Sequence, residues 1–123
     1  MWKNLSRMQK LYTDFNFVPK TYLFPEDFRK FTMDREAENF RHMYIMKPAA
    51  SSCGRGIKVI GQKQEVKRKP GYVVSQYISS PHLIHGFKYD LRIYAMVTSF
   101  DPLKVYLFKE GLVRFATVKY TNS

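Results

Sequence analysis

A chain of 123 residues, 45% hydrophobic and 16% aromatic, carries enough apolar material for one core of ordinary size and is not disordered by composition. Its 21 Lys and Arg against 10 Asp and Glu give a net charge of +11, which draws polyanions of any kind: nucleic acid, nucleotide, anionic lipid or an acidic protein tail. A lone cysteine, Cys53, excludes an intrachain disulfide; with no continuous apolar run and no leader-like start, the expected setting is intracellular, with neither secretion nor a membrane span.

Trp2, Leu5, Met8 and Tyr12 recur at three- and four-residue spacing, which predicts a first helix with Lys3, Arg7 and Lys10 directed elsewhere. Residues 15–24 are aromatic and interrupted by Pro19, so they read as extended chain. Pro25-Glu26-Asp27 then reads as the first turn of a second helix anchored by Phe28 and Phe31. From Met43 the texture changes to strands, predicted over 43–46, 57–60, 72–77, 87–99, 103–108 and 112–117. Asp101-Pro102 and Glu110-Gly111 are read as short turns between neighbouring strands, and 61–71, with four basic residues, as a polar connection. The fold class is α+β, with a mostly antiparallel sheet and flanking helices.

The first stretch that carries chemistry is Tyr44-Ile45-Met46-Lys47-Pro48-Ala49-Ala50-Ser51-Ser52-Cys53-Gly54-Arg55-Gly56-Ile57. An apolar strand ends in a lysine, and a loop of small residues leads to the next strand. Such a loop lets backbone N–H groups approach phosphates, and the lysine supplies a point charge. It is not a P-loop, because GxxxxGK[ST] is absent and no helix follows. A glycine-containing hairpin with an incidental lysine would read the same.

The second is Phe87-Lys88-Tyr89-Asp90-Leu91-Arg92-Ile93-Tyr94-Ala95. Alternation along a strand puts Lys88, Asp90 and Arg92 on one face and Phe87, Tyr89, Leu91, Ile93 and Ala95 on the other. The plus-minus-plus row is either a solvated outer face or a phosphate-facing one, in which Lys88 and Arg92 neutralise transferring charge and Asp90 orients one of them. The third is Arg114, a lone cation in Gly111-Leu112-Val113-Arg114-Phe115-Ala116-Thr117, either a surface residue or a two-point holder of a carboxylate.

In combination these stretches closely resemble the tubulin tyrosine ligase-like family of ATP-grasp enzymes over residues 2–120. The most specific blocks are the Lys47-Pro48 strand with its Gly54-Arg55-Gly56-Ile57 loop, the 72–81 block with Tyr77-Ile78, and Leu83-Ile84-His85-Gly86-Phe87-Lys88-Tyr89-Asp90-Leu91-Arg92-Ile93-Tyr94. To these is added Val97-Thr98-Ser99-Phe100-Asp101-Pro102-Leu103, leading to the Arg114 segment. The wording Lys47-Pro48-Ala49-Ala50-Ser51-Ser52 and the run from Thr98 to Phe108 is most similar to the polyglutamylases, rather than the glycylases or the tyrosine ligase.

The resemblance implies a two-lobed ATP-grasp-like grip on ATP. Lys47 lies on the α- and β-phosphates, and the loop around Cys53 and Gly54 closes over them. Ser75, Gln76, Tyr77 and Ile78 match the hinge that holds adenine, largely through backbone groups. Lys88, Tyr89 and Asp90 match the segment beside ribose and phosphates, Arg92 faces the γ-phosphate as the catalytic cation, and Arg114 holds the carboxylate of the incoming amino acid. The implied reaction phosphorylates a glutamate side chain of the target and lets the amino group of free L-glutamate attack the acylphosphate. The implied cofactors are ATP and Mg²⁺; the implied target is tubulin or another protein with an acidic tail. The implied location is the cytoplasmic microtubule cytoskeleton, including cilium or basal body.

Cys53 stands where relatives carry Arg or Gln, and Gln76 where many carry Lys or Arg, so what carries over at those positions is the backbone contact. The family's later acidic and Asn metal ligands have no counterpart up to Ser123. The expectation is therefore a domain truncated on its C-terminal side, with the Mg²⁺ ligands past residue 123 and no catalysis by the 123 residues alone. Two rivals share the basic charge. One is a non-catalytic module that docks on acidic tubulin tails. The other is an RNA-binding module, whose Lys/Arg-Gly-aromatic signature Gly86-Phe87-Lys88-Tyr89 meets only in part. Cys53 has no evident base among His42, His82 and His85, and His82 and His85 lack accompanying metal ligands.

Overall fold

The computed structural model describes residues 2–51 and 54–121, which fall into two compact units, Met1–Ser79 and Ser80–Ser123. Among the described residues no helix is long and apolar enough to cross a membrane.

The first unit opens with α1, Trp2–Leu11, followed by a short 3₁₀ turn, Thr13–Phe15. Trp2, Leu5 and Met8 are half-buried while Lys3, Arg7 and Lys10 are exposed, as the three- and four-residue spacing predicts; Tyr12 lies past the helix and is exposed. Strand β1, Thr21–Phe24, is a true strand where the sequence reads only extended chain. Pro19 and Pro25 bracket its four residues and hide the alternation that marks a strand. Helix α2 spans Phe28–Ala37, so Pro25 to Asp27 form a turn before it rather than its first turn. Asp27 holds that turn by accepting the Leu23 N–H through its carboxylate at 2.8 Å, while its own N–H donates to the Leu23 carbonyl at 2.7 Å.

Strands β2 (Tyr44–Pro48), β3 (Lys58–Ile60) and β4 (Tyr72–Gln76) complete an antiparallel sheet in the order β1-β4-β2-β3. One face packs on α2 and buries Tyr22, Phe24, Phe31, Tyr44, Met46, Ile60 and Val74. Phe31 stands edge-on to Tyr22, Phe24 and Tyr44 with ring centroids 5.0 to 5.3 Å apart. Each such side chain contributes about 1.5–3 kcal/mol through the water it escapes, and the tilted aromatic contacts add to that. Burial and a hydrogen bond to Asp34 push the Tyr22 phenol up, and burial beside Glu38 pushes Tyr44 up to about 12, so both stay neutral.

Arg35 is buried, with no carboxylate partner among the described residues. Its guanidinium donates to the carbonyls of Gly61, Gln62 and Gln64 at 2.6 to 3.3 Å and lies over the rings of Phe31, Phe40 and Tyr44. Three carbonyls and three π-faces supply the negative potential that water would otherwise give. Arg35 thus ties the start of the predicted polar connection to the core.

The second unit is built from β5 (Leu83–Ile84), β6 (Phe87–Arg92) and β9 (Leu112–Lys119) in one antiparallel sheet, and β7 (Ala95–Phe100) with β8 (Leu103–Leu107) in a hairpin. The strand predicted over 87–99 is therefore two strands, broken at Ile93 and Tyr94: β6 pairs with β9 while β7 turns back on β8. A single strand cannot serve both pairings, so Ile93 and Ala95 do not continue the β6 face. Asp101-Pro102 does join neighbouring strands. Glu110-Gly111 does not, because β8 and β9 are unpaired; it returns the chain to β6. A Cβ on Gly111 would stand 2.6 Å from the Arg92 carbonyl oxygen, so the glycine is needed for close approach. The short β5, unseen in the sequence, pairs with β6 through His85 and Gly86, both at positive φ as a two-residue primed turn requires.

Candidate functional site

Lys47 sits near the end of β2. Alternation assigns Tyr44 and Met46 to the core face and leaves Ile45 and Lys47 on the open face of the sheet, where Lys47 is exposed. The register sets Lys47 opposite Val73 and Ile45 opposite Ser75, so Ser75 shares the open face with Lys47. Past Pro48 the chain turns tightly at Gly54 and Gly56, with φ of 73° and 74°, values that a side chain at either position would strain. A Cβ on Gly56 would meet Pro48 Cγ at 3.0 Å, so this turn folds closely over the strand end that carries Lys47. Cys53 lies outside the described residues.

The hinge residues are held before any ligand arrives. Ser75 Oγ lies 2.9 Å from Thr21 Oγ1, which donates its proton to the Pro19 carbonyl, so Ser75 is the donor of that pair. The Gln76 N–H donates to the Lys20 carbonyl and the Tyr77 N–H to the Met43 carbonyl, both at 2.8 Å. Those two donors are therefore satisfied inside the unit. Ile78 is exposed at its end.

In the second unit, the register of β6 against β9 places Asp90 directly opposite Arg114. Arg114 Nε donates to both carboxylate oxygens at 3.1 Å and Nη2 donates to Oδ2 at 2.9 Å. Arg92 Nε lies 3.5 Å from the same Oδ2. The hydrogen bond from Arg114, aided by the charges of Arg114 and Arg92, holds the Asp90 carboxyl below the usual aspartate range, so it is ionised at neutral pH. Lys88 Nζ lies 5.7 Å from the centre of the Tyr120 ring. Three cations thus stand in the neighbourhood of one carboxylate on an open sheet. On the opposite face Tyr89 packs on Phe115 with ring centroids 5.9 Å apart and donates to or accepts from His82 Nδ1 at 2.9 Å.

Each unit thus exposes cations, Lys47 in the first and Arg92 and Arg114 in the second. Among the described residues no three His, Cys, Asp or Glu side chains converge, so these residues do not supply a Mg²⁺ site.

The sequence model of the tubulin-tyrosine ligase family matches residues 1–123. The chain belongs to that family. Similar members include mouse tubulin monoglutamylase TTLL4, 43% identical over 125 residues that cover 100% of this chain and 10% of the relative. Mouse tubulin polyglutamylase TTLL13 is 44% identical over 98% of this chain and 15% of its own length, and human tubulin polyglutamylase TTLL5 is 42% identical over 98% and 9%. The chain therefore spans between 9% and 15% of the length of these relatives.

Membership fits the blocks that the sequence singles out, but three structural relations are not legible in the sequence. The Asp90–Arg114 pair joins residues 24 apart in sequence, and only the strand register announces it. Arg35 sits in a helix so polar that it reads as solvated. Gly111 looks like any turn glycine, and its contact with Arg92 is a fact of close packing.

Proposed function

We propose that this chain forms the nucleotide- and amino-acid-gripping part of an ATP-dependent ligase of ATP-grasp type that adds glutamate to tubulin or another protein with an acidic tail. The observation that carries this reading is the exposed cluster of Lys88, Arg92 and Arg114 around Asp90, an anion receptor in a family whose similar members are named as tubulin glutamylases. Lys47 neutralises the α- and β-phosphates beside the turn at Gly54. The segment from Ser75 to Ile78 holds adenine, with Ser75, Gln76 and Tyr77 already braced by Thr21, Lys20 and Met43. Lys88, Tyr89 and Asp90 border ribose and phosphates, Arg92 meets the γ-phosphate, and Arg114 takes the α-carboxylate of free glutamate. A target carboxylate attacks the γ-phosphorus and releases ADP; the amine of glutamate then attacks the acylphosphate carbon, expelling phosphate and losing a proton as the isopeptide bond forms. Positioning and charge neutralisation supply the catalysis. Mg²⁺, when bound, would screen the phosphates, held by ligands outside the described residues. The setting that follows is cytoplasmic, on microtubules, including those of cilia and basal bodies.

The test is glutamate incorporation into tubulin by the full-length protein. Lys47→Ala is expected to remove it while Lys67→Ala and Lys69→Ala, in the polar connection, retain it. Near-normal turnover by folded Lys47→Ala would overturn the phosphate assignment. The net charge of +11 also suits a non-catalytic module that docks on acidic tails; binding of a Glu-rich peptide that weakens steeply with salt, without incorporation by the full-length protein, would favour that reading.

A further inference from the structure

A guanidinium has five N–H donors in a planar fork, and which edge is occupied decides which edge is left to a ligand. Asp90 takes the Nε side of Arg114: Nε bonds both oxygens and Nη2 bonds Oδ2. This geometry consumes the Nε proton and one Nη2 proton. The remaining edge, one proton on Nη1 and the second on Nη2, has the spacing of a second carboxylate, and no described residue bonds Nη1. Both side chains are about half exposed, so that edge is open to solvent. Lys88, Asp90, Arg114 and Ala116 line one shallow depression of the sheet, which places the free edge and a second cation in the same recess.

We infer that Asp90 is a positioning residue: it clamps the Nε side of Arg114 and so presents the Nη1–Nη2 edge as a two-point receptor for the α-carboxylate of a free amino acid. The inference rests on the assignment of Arg114 to that carboxylate. Asp90 does not cancel the attraction, because Lys88 and Arg92 stand in the same row. Without it, the long Arg114 side chain would sample several rotamers, and each would aim the fork differently.

The experiment uses the full chain and two readouts. In nitrogen-resolved NMR, the Arg114 Nε–H is expected to exchange slowly with water in the wild type and rapidly in Asp90→Ala. Titration with L-glutamate and with its α-amide, which lacks the α-carboxylate, is run on wild type, Asp90→Ala, Arg114→Lys and the double variant, with ATP affinity measured alongside. The expected result is glutamate affinity lowered about tenfold in Asp90→Ala, as for loss of one well-placed charge-assisted contact. The α-amide should be weak throughout, the glutamate loss in Asp90→Ala should exceed any loss of ATP affinity, and the double variant should be no worse than Arg114→Lys alone. If Arg114→Lys binds glutamate as the wild type does, or the wild type does not prefer glutamate to its α-amide, the carboxylate assignment falls. If Arg114→Lys loses glutamate but Asp90→Ala does not, that assignment stands and the positioning role is overturned. If Asp90→Ala loses ATP affinity as much as or more than glutamate affinity, its effect runs through the nucleotide and the positioning role is equally overturned.

Discussion

The two units rest on different physics. Residues 2–79 gather Tyr22, Phe24, Phe31, Tyr44, Met46, Ile60 and Val74 into a closed core and add a buried arginine that ties a loop to it. Among the described residues of 80–121 none is buried, although Leu91, Ile93, Met96, Phe100, Tyr106, Leu107 and Phe108 are all apolar and all more than half exposed. The second unit is held by backbone ladders and cross-strand pairs, of which Asp90–Arg114 and Tyr89–Phe115 are the clearest. An aromatic cross-strand pair such as Tyr89–Phe115 contributes about 0.2–1 kcal/mol, against about 1.5–3 kcal/mol for a buried aromatic side chain. Lys47 and Ser75 thus stand on strands backed by a closed core, whereas the aim of Arg92 and Arg114 depends on register.

Phe31→Ala should break the comparison on its stable side. Removing a fully buried ring that touches three others is expected to cost about 3–5 kcal/mol and to lower the melting of residues 2–79. Leu107→Ala, at 70% exposure in the second unit, should stay within about 0.5 kcal/mol. Amide exchange resolved by unit separates the two. Comparable losses for both variants would mean that the second unit has a core of its own.

Gly111→Ala tests the other side. The added methyl meets the Arg92 carbonyl at 2.6 Å, and backbone cannot yield as a flexible side chain does. An expected loss of about 1–3 kcal/mol should be confined to the second unit and accompanied by shifts at Arg92 and Leu112, which pair across the strands. Unchanged Arg92 signals would show that the chain around residue 111 relaxes without disturbing the strand that carries the cation.

The same division explains how much was legible in sequence. Lys88, Asp90 and Arg92 stand in a period-two row, and the Trp2, Leu5, Met8 spacing is that of a helix; local geometry alone writes such patterns. The core of the first unit was partly legible through Phe28, Phe31 and the apolar strand before Lys47. The Asp90–Arg114 pair was not, because it depends on β6 meeting β9 past an intervening hairpin and through a register shift between Phe87 and Tyr89. Nor was the break at Ile93, since an apolar run carries no mark of which strand will pair with it. Arg35 lies between Asp34 and Glu36, a context in which charge ordinarily means solvent, and only the loop carbonyls of Gly61 to Gln64 make its burial tolerable.

The smallest expected effect concerns the two lowered carboxyls, one in each unit. Glu38, just past α2, accepts a hydrogen bond from Lys20 Nζ at 2.6 Å, and that bond, with the charges of Lys20, His42 and Arg41, holds it below its ordinary 4.5 against the opposing effect of burial. A carboxyl whose folded pKa lies below its unfolded value stabilises the fold above the unfolded value, and the gain drains away as pH falls through the folded one. With Lys20 half exposed, the pair is worth about 0.2–1 kcal/mol after solvent screening. Thermal melts of residues 2–79 should therefore show a shallow acid decline below the ordinary Glu range, and Glu38→Gln should flatten it. Asp90, also held below its ordinary range, lies in the other unit, so its protonation should release the Arg114 Nε–H without moving the melt of residues 2–79. An acid decline that is unchanged in Glu38→Gln would remove the Lys20–Glu38 pair from the account of the first unit's stability. A decline that tracks Asp90→Asn instead would mean that the two units do not unfold independently.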